Sequence, residues 1–286
     1  MASPCELLCD TDDAELAQRL ANFAAREAQR IEQKFSRYRE DSVVQAIHAR
    51  RGEPMAVDDE TARLLSYGEA LWRISEGRFD LTSGVLRHAW RFGAGQSSTP
   101  TAALPPSAPD AEQLAALLGR IGWQRVHWQA PTLTLPEGME IDFGGIGKEY
   151  AVDRVADWAA TQTSAPVLVN FGGDLRCVGA APASGAWQVG IESIAQFGQA
   201  VRRIELKSGA LATSGDARRH IEIDGRRVGH VLDARTGWPA PGTPRSITVA
   251  ADTCSQAGSY STLAMLQGEG AESFLEAEGV RYWCLR

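Results

Sequence analysis

Helical and strand patterns follow one another in this chain in an irregular order, and that order restricts the fold more than any other feature. Residues 13–35 place apolar side chains at steps of three and four, which predicts an amphipathic helix. Further helices are expected from Asp59 to about Gly77 and after Asp110, each with an aspartate as N-cap. Strand patterns dominate from residue 125 onward. Because the strands and helices do not alternate as regular βαβ units, we expect an α+β fold.

The strand patterns are clearest in the second half of the chain. A hairpin with an irregular turn is expected over residues 125–138, and a tight one in HIEIDGRRVGHVLD, residues 220–233, where Asp224-Gly225 separates two alternating runs. Single strands are expected in residues 165–174, 186–193 and 245–252. Two short helices, residues 259–268 and 272–279, and a last strand complete the chain.

Residues 93–110, GAGQSSTPTAALPPSAPD, predict an exposed flexible connection, since Gly, Ser, Thr and Pro resist regular structure. The 286 residues suffice for one large compact unit or for two intimate subdomains around this connection. We treat residues 1–286 as a single functional domain.

Charge and cysteine content exclude several classes of function. A net charge of −7 with scattered Lys and Arg gives no basic surface for nucleic acid or anionic membranes. Five dispersed cysteines indicate neither a disulfide framework nor a zinc site, so we expect mostly buried, reduced thiols. The first residues lack the basic start and apolar run of a signal peptide, and no long apolar segment follows, which predicts a cytoplasmic protein without membrane insertion.

The segment DFGGIGKEYAVD, residues 142–153, has the composition of a ligand loop that leads into a helix. Its glycines allow close approach of the backbone, and a helix from about Lys148 would direct free N–H groups at an anion. A plain tight turn with a surface lysine explains the segment equally well. The spacing differs from the GxGxxG fingerprint, which disfavours a nicotinamide dehydrogenase.

Three later segments carry polar groups. VNFGGDLRCVG, residues 169–179, ends a strand at Gly173 and Asp174, which is typical of a binding edge and also of a turn. Residues 211–240 contain His230 and Asp233, and Ser214 and Arg218 can join them, but without a nucleophile elbow we reject a hydrolase triad.

The third segment, CSQAGSYSTLAML, residues 254–266, offers the hydroxyls of Ser259, Ser261 and Thr262. Oxygen ligands suit Mg²⁺, yet a strong site normally includes a carboxylate, and the segment has none. On its chemistry alone, a helix cap is the better interpretation. The other histidines, His48, His88, His127 and His220, are assigned structural roles.

Taken in order, these segments resemble the FAD:protein FMN transferases of the ApbE family along nearly the whole chain. SPCELLC is similar to the opening strand of that family, FSRYREDSVVQAIH to its SxYxxxSxxxxxN stretch, and GRFDLTSGVLRHAWRFG to its GxFDxTxGPLxxLWGF stretch. The later segments are similar to DLGxIAKGYAVD, NxGGD and ATSG…HIIDPRTGxP. Several motifs in the correct order are more specific than any one of them.

The resemblance implies an enzyme that binds FAD and Mg²⁺, transfers FMN to a Thr or Ser hydroxyl of a target flavoprotein, and releases AMP. It implies catalytic roles for His230 and Thr262, and it implies metal contacts from Gly145, Ser261 and Thr262. The nucleotide-binding residues that it implies are Arg78, Phe79, Asp80, Asp142, Lys148, Gly173, Asp174, Ser214, Leu232 and Asp233.

Four departures from the family pattern bear on the site or its neighbourhood. Gly258 stands where the metal motif has an aspartate four residues before Thr262, and Asp252 is a distant substitute. Glu149 replaces the glycine after the lysine, which either opposes a pyrophosphate or supplies a relocated metal ligand. His48 replaces an asparagine and Ala234 a proline. The missing carboxylate predicts a weakened metal site, and Gly258→Asp is expected to tighten Mg²⁺ binding.

Two alternatives to transfer stay open. The chain either holds FAD without turnover, having lost catalysis with Gly258, or hydrolyses FAD to AMP and FMN as a Mg²⁺-dependent pyrophosphatase. Members of the family are often exported lipoproteins, which contrasts with the cytoplasmic location predicted from the start of the chain.

Overall fold

The structure is a computed structural model that describes residues 3–92, 109–196, 198–217, 219–223 and 225–286. It contains helices and mainly antiparallel strands, so the α+β expectation is confirmed. None of the helices in these ranges is long and apolar enough to cross a membrane. The helices are α1 Ala14–Phe35, α2 Val43–Ala49, α3 Asp59–Ile74, α4 Ala111–Leu118, α5 Gly147–Gln162, α6 Cys254–Gln267 and α7 Ala271–Ala277.

Thirteen strands are found in the described part of the chain. They are β1 Cys5–Cys9, β2 Met55–Ala56, β3 His127–Gln129, β4 Thr132–Thr134, β5 Val167–Phe171, β6 Asp174–Val178, β7 Trp187–Glu192, β8 Ala200–Leu206, β9 Gly209–Gly215, β10 His220–Ile223, β11 Arg226–Gly229, β12 Ser246–Ala251 and β13 Arg281–Leu285.

A six-stranded antiparallel sheet forms the centre of the molecule, in the order β1-β5-β6-β9-β12-β13. Side chains along a strand point to alternate faces, and β5 follows this rule. Val167, Val169 and Phe171 belong to the main core that contains α1, α5 and α6, whereas Leu168 packs with Ile191 and other residues of the β7–β8 hairpin. The sheet is therefore covered by helices on one face and by a hairpin on the other.

Most elements predicted from local patterns are present. Asp13 and Asp110 cap α1 and α4 as expected, whereas α3 is capped by Asp58 rather than by Asp59. Ile223 pairs with Arg226 in the predicted tight hairpin, although Asp224 itself lies outside the described residues. The predicted connection at residues 93–110 also lies outside them, apart from its last two residues.

Three expectations need correction. Helix α6 begins at Cys254, five residues before the predicted start, because Thr253 and a residue of another helix cap it there. Helix α2 and strands β2, β6, β8 and β9 were not predicted. All five cysteines are free, as expected, but only Cys177 and Cys254 are buried.

Candidate functional site

The N-terminal turn of α5 lies beside α6 and the end of β5, and most of the predicted site residues meet there. The loop before α5 is held by Asp142, whose Oδ1 accepts the Gly144 N–H at 2.9 Å. Its Oδ2 accepts a hydrogen bond from the Arg37 guanidinium. The segment therefore has the predicted loop-to-helix geometry, and Arg37 fixes the conformation of its start.

Lys148 and Asp174 form an ion pair at this turn. The Lys148 Nζ lies 2.7 Å from Asp174 Oδ2, and Asp174 Oδ1 accepts the Thr213 N–H at 3.1 Å. Burial alone would lower the pKa of Lys148, but the Asp174 and Glu149 carboxylates outweigh it and raise that pKa. The ammonium is therefore charged at neutral pH and is half-buried, at 32% exposure, where an anion can reach it.

The turn after β5 requires glycine for two reasons. Gly172 has a φ of +63°, a region that favours glycine, and a Cβ there would lie 2.6 Å from the Ser3 side chain. Gly173 has a φ of +97°, and no atom of the described residues lies within 4 Å of the position of a Cβ. Gly173 is therefore an exposed point beside the Lys148–Asp174 pair where a ligand can approach the backbone.

Glu149 lies against Gly258, the position where the family pattern has an aspartate. A Cβ at position 258 would be 2.6 Å from the Glu149 Cγ and 2.9 Å from its Oε1. Burial first, and then the neighbouring Asp174 carboxylate, raise the pKa of Glu149 to about 8. The carboxylate absent from position 258 of α6 is thus replaced, in space, by one from α5.

A cluster of hydroxyls occupies the same face of α6. The Ser214 Oγ of β9 lies 2.9 Å from both the Ser261 Oγ and the Thr262 Oγ1. Ser261 also donates to the Gly258 carbonyl at 3.0 Å. The helix cap is Thr253, so the cap role predicted for the hydroxyls of Ser261 and Thr262 is wrong.

One nitrogen of His230 contacts the Arg219 carbonyl, and none of the described residues bonds to the other. Its Nδ1 lies 3.0 Å from the Arg219 carbonyl, which can only accept, so the proton is assigned to Nδ1. Burial first, and then the Arg219 cation, lower the pKa of His230 to about 4. The imidazole is neutral at pH 7, with a lone pair on Nε2.

The segment after His230 is a tight turn that stabilises itself. Asp233 accepts from the Arg235 guanidinium at 2.8 and 3.1 Å, and Arg78 lies 3.6 Å from it and donates to the Leu266 carbonyl at 3.1 Å. Leu232 packs beside Trp90 in a small apolar cluster. Arg78 and Asp233 therefore attach this turn to the end of α6.

Phe79 and Asp80 have different environments although they are adjacent in the sequence. The Phe79 ring lies 3.1 Å from the position of a Cβ on Gly145, so the ring packs on the predicted loop. Both oxygens of the buried Asp80 are used inside the protein, by Thr82 and by the Trp123 N–H at 2.8 Å. The structure gives the Asp80 carboxylate a role in holding its own loop, and a direct ligand contact stays a prediction.

Sequence reasoning missed three residues that shape the site. Arg37 lies inside the stretch FSRYREDSVVQAIH and binds the Asp142 carboxylate. Arg219 lies near this pair, and burial first, and then the Arg37 cation, lower its pKa. Asp153 accepts the N–H groups of Cys254 and Ser255, both at 2.8 Å, and so caps α6 from α5. No local signal reveals such contacts, because the partners are distant in sequence. Arg218 lies outside the described residues.

The oxygen atoms around Gly258 fit a hard divalent cation. Among the described residues no group of three or more His, Cys, Asp or Glu side chains forms a metal site. Glu149, Ser261 and Thr262 nevertheless offer one carboxylate and two hydroxyls, the donor chemistry that suits Mg²⁺ or Mn²⁺ rather than zinc. Asp252, the alternative ligand expected from the sequence, is exposed and lies before the N-cap of α6, outside the helix that carries Gly258.

Comparisons with known proteins agree with these observations. The FAD:protein FMN transferase of Vibrio cholerae serotype O1 is 31% identical over 243 residues, which are 84% of this chain and 70% of the relative. The crystal structure of the ApbE protein from Thermotoga maritima has a TM-score of 0.83 at 28% identity and covers 98% of this chain and 94% of that one. The apo flavinyl transferase ApbE of Pseudomonas stutzeri has a TM-score of 0.81 at 26% identity, covering 99% and 92%. A sequence model of the ApbE family matches residues 1–283, and the chain therefore belongs to the ApbE family.

Proposed function

We propose that this chain is an FAD:protein FMN transferase, which transfers FMN from FAD to a Thr or Ser hydroxyl of a target flavoprotein and releases AMP. Family membership over residues 1–283 and relatives that carry this name support the reaction. The observation that carries the proposal is that a charged Lys148 and a neutral His230 belong to one site around a glycine loop.

The cationic groups of the site suit a pyrophosphate. The Lys148 ammonium stands in the first turn of α5, where free N–H groups and the helix dipole also favour negative charge. Arg37 and Arg219 add guanidinium groups on the Asp142 side of the loop. In this proposal these groups orient the phosphates of FAD and balance the charge that develops as AMP leaves.

His230 provides the proton acceptor for the attacking hydroxyl. The Nδ1–H bond to the Arg219 carbonyl fixes the ring and leaves Nε2 as a base. The acceptor oxygen bonds to the FMN phosphorus, its proton passes to Nε2, and the bond from that phosphorus to the bridging oxygen breaks. AMP leaves with the electron pair.

Glu149, Ser261 and Thr262 would hold a divalent cation, which would neutralise charge on the pyrophosphate when bound. Ser214 positions the two hydroxyls of α6 through its contacts of 2.9 Å. Tyr67 bonds to the Ser259 hydroxyl at 2.6 Å and to the Ser255 carbonyl at 3.1 Å, which fixes the start of that helix.

The test is an incubation of the purified chain with FAD, Mg²⁺ and a flavoprotein that carries Thr or Ser at its flavin attachment position. We expect flavin fluorescence that stays on the acceptor band after denaturation in acid, and one AMP for each flavin attached. His230→Asn is the matched variant, because an amide can still donate to the Arg219 carbonyl but cannot take the proton. We expect it to bind FAD as the parent does and to transfer at least ~100-fold more slowly.

The other outcomes separate the alternatives. AMP and free FMN without flavin on the acceptor would mean hydrolysis. FAD binding without either product would mean a flavin-binding protein that does not turn over. Undiminished transfer by His230→Asn would refute the role given to this histidine.

A further inference from the structure

Glu149 and Gly258 form a pair in which only one position has room for a side chain. The Glu149 Cγ, Cδ and Oε1 lie 2.6, 3.0 and 2.9 Å from the place where a Cβ on residue 258 would be. Heavy atoms in contact normally keep 3.5 to 4.0 Å apart, so a larger residue at 258 would displace the glutamate. Glycine at 258 is therefore the condition for the present position of the Glu149 carboxylate.

The Glu149 carboxylate has an oxygen to which no described residue binds. Its Oε2 is buried and accepts no hydrogen bond from the described residues. The neighbouring carboxyl group of Asp174 cannot donate a hydrogen bond to it when ionised. Both oxygens of Asp174 are already bound, one to Lys148 and the other to the Thr213 N–H. An unpartnered buried carboxylate oxygen is costly unless something outside the chain binds to it.

The charges at this point are also unbalanced. When both are ionised, Glu149 and Asp174 bring two negative charges, and Lys148 provides one ammonium group at 2.7 Å from Asp174. One further positive charge would complete the balance. Either a proton shared by the two carboxyl groups or a cation provides it.

Hydroxyl ligands for a cation lie one helical turn away. Ser261 and Thr262 stand three and four residues after Gly258, so their side chains share its face of α6. The Thr262 Oγ1 contacts the Ser214 Oγ at 2.9 Å and has a second lone pair for a ligand. Carboxylate and hydroxyl oxygens are the donors that Mg²⁺ and Mn²⁺ prefer.

We propose that Glu149 of α5 supplies the carboxylate ligand of a divalent cation site that Ser261 and Thr262 of α6 complete, and that Gly258 exists to admit it. The metal site is thus complete in this chain, with its carboxylate moved from one helix to the neighbouring one. The proposal rests on the proposed function only in that the cation would serve the pyrophosphate of FAD. It also revises the expectation for Gly258→Asp, since the added side chain meets Glu149 and is not expected to tighten binding by itself.

The test measures Mn²⁺ binding to the full chain by the loss of the free-ion EPR signal, first without nucleotide and then with FAD. Glu149→Gln keeps the shape of the side chain and removes its charge, and we expect the affinity for Mn²⁺ to fall by at least ~10-fold. The double variant Glu149→Gly/Gly258→Asp returns the carboxylate to α6 and is expected to recover most of that affinity. Asp252→Asn is the control, because Asp252 is an exposed carboxylate beside the start of the same helix. The affinity of this variant for Mn²⁺ should equal that of the parent.

Three results would overturn the proposal: no Mn²⁺ binding by the parent, an unchanged affinity in Glu149→Gln, or a loss in Asp252→Asn. Thermal melting of each variant identifies those that fail to fold, and the double variant keeps the test decisive if Glu149→Gln does. FAD binding in EDTA, followed by flavin fluorescence, is measured in parallel. If the parent does not bind FAD, the proposed function fails whatever the Mn²⁺ result. If it binds FAD and transfers FMN while Glu149→Gln keeps its Mn²⁺ affinity, only the cation proposal fails.

Discussion

Asp153 of α5 holds the start of α6 in place, and Asp153→Asn is expected to destabilise the protein markedly. Its two oxygens accept the N–H groups of Cys254 and Ser255 at 2.8 Å, and Oδ1 also lies 2.9 Å from the Arg176 guanidinium. An asparagine has one accepting oxygen and can serve only one of the two N–H groups, so the other loses its partner at a cost of about 2 kcal/mol. The lost charge at a helix N-terminus adds about 1 kcal/mol. The expected loss in the free energy of unfolding is therefore about 3 kcal/mol.

The matched control is Asp157→Asn on the same helix. Asp157 binds the same Arg176 at 2.9 Å, but its side chain is 64% exposed and it caps nothing. Exposed ion pairs contribute about 0 to 1 kcal/mol, so a change below about 0.5 kcal/mol is expected. Urea denaturation followed by tryptophan fluorescence measures both variants, and a melting scan should show a drop of roughly 6 °C for Asp153→Asn. Equal losses in the two variants would refute the capping argument, since they share the ion pair and differ in the cap.

Two further predictions concern buried charge and titration. Lys148→Met removes the ammonium beside the buried Asp174, and we expect it to lower the free energy of unfolding by about 3 kcal/mol and to weaken FAD binding. The double variant Lys148→Met/Asp174→Asn should recover part of that stability in the same urea experiment. His48 accepts the Ile141 N–H at 2.8 Å, and burial lowers its pKa to about 4. Below about pH 6.5 the unfolded chain binds a proton at this imidazole, whereas the folded chain does not. The free energy of unfolding is therefore highest above that pH and falls by about 2 kcal/mol between pH 6.5 and pH 5. His48→Asn should remove this part of the pH dependence, and an unchanged slope of urea midpoint against pH would contradict it.

Local signals in the sequence were sufficient for elements whose ends are set by their own residues. Asp13 and Asp110 cap the helices that follow them, and the alternation on both sides of Gly225 sets the register of β10 and β11. The start of α6 was predicted too late because its cap includes Asp153, a residue of α5. A cap from another helix has no pattern in the local sequence.

The candidate site could likewise be predicted only in part from the sequence. Lys148 and Asp174, and Ser214 and Thr262, were expected to belong to one site, and the structure brings each pair into contact. The function of Glu149 could not be decided from the sequence, where it was either an obstacle to the pyrophosphate or a relocated ligand. The distances between Glu149 and Gly258 connect these two departures from the family pattern, because the Glu149 side chain occupies the space that a side chain at position 258 would need.

The mutual exclusion of side chains at positions 149 and 258 has a consequence for how such chains diverge. One arrangement has glycine at 149 and aspartate at 258, and the other has glutamate at 149 and glycine at 258. A change from one to the other needs two substitutions, and after only one of them either two acidic side chains compete for the same space or no acidic side chain is present. Both intermediates should be disfavoured, so we expect the two residues to be inherited together as a unit. A family member with glycine at the position of Gly258 should therefore be judged by the residue that follows its loop lysine before it is classed as inactive.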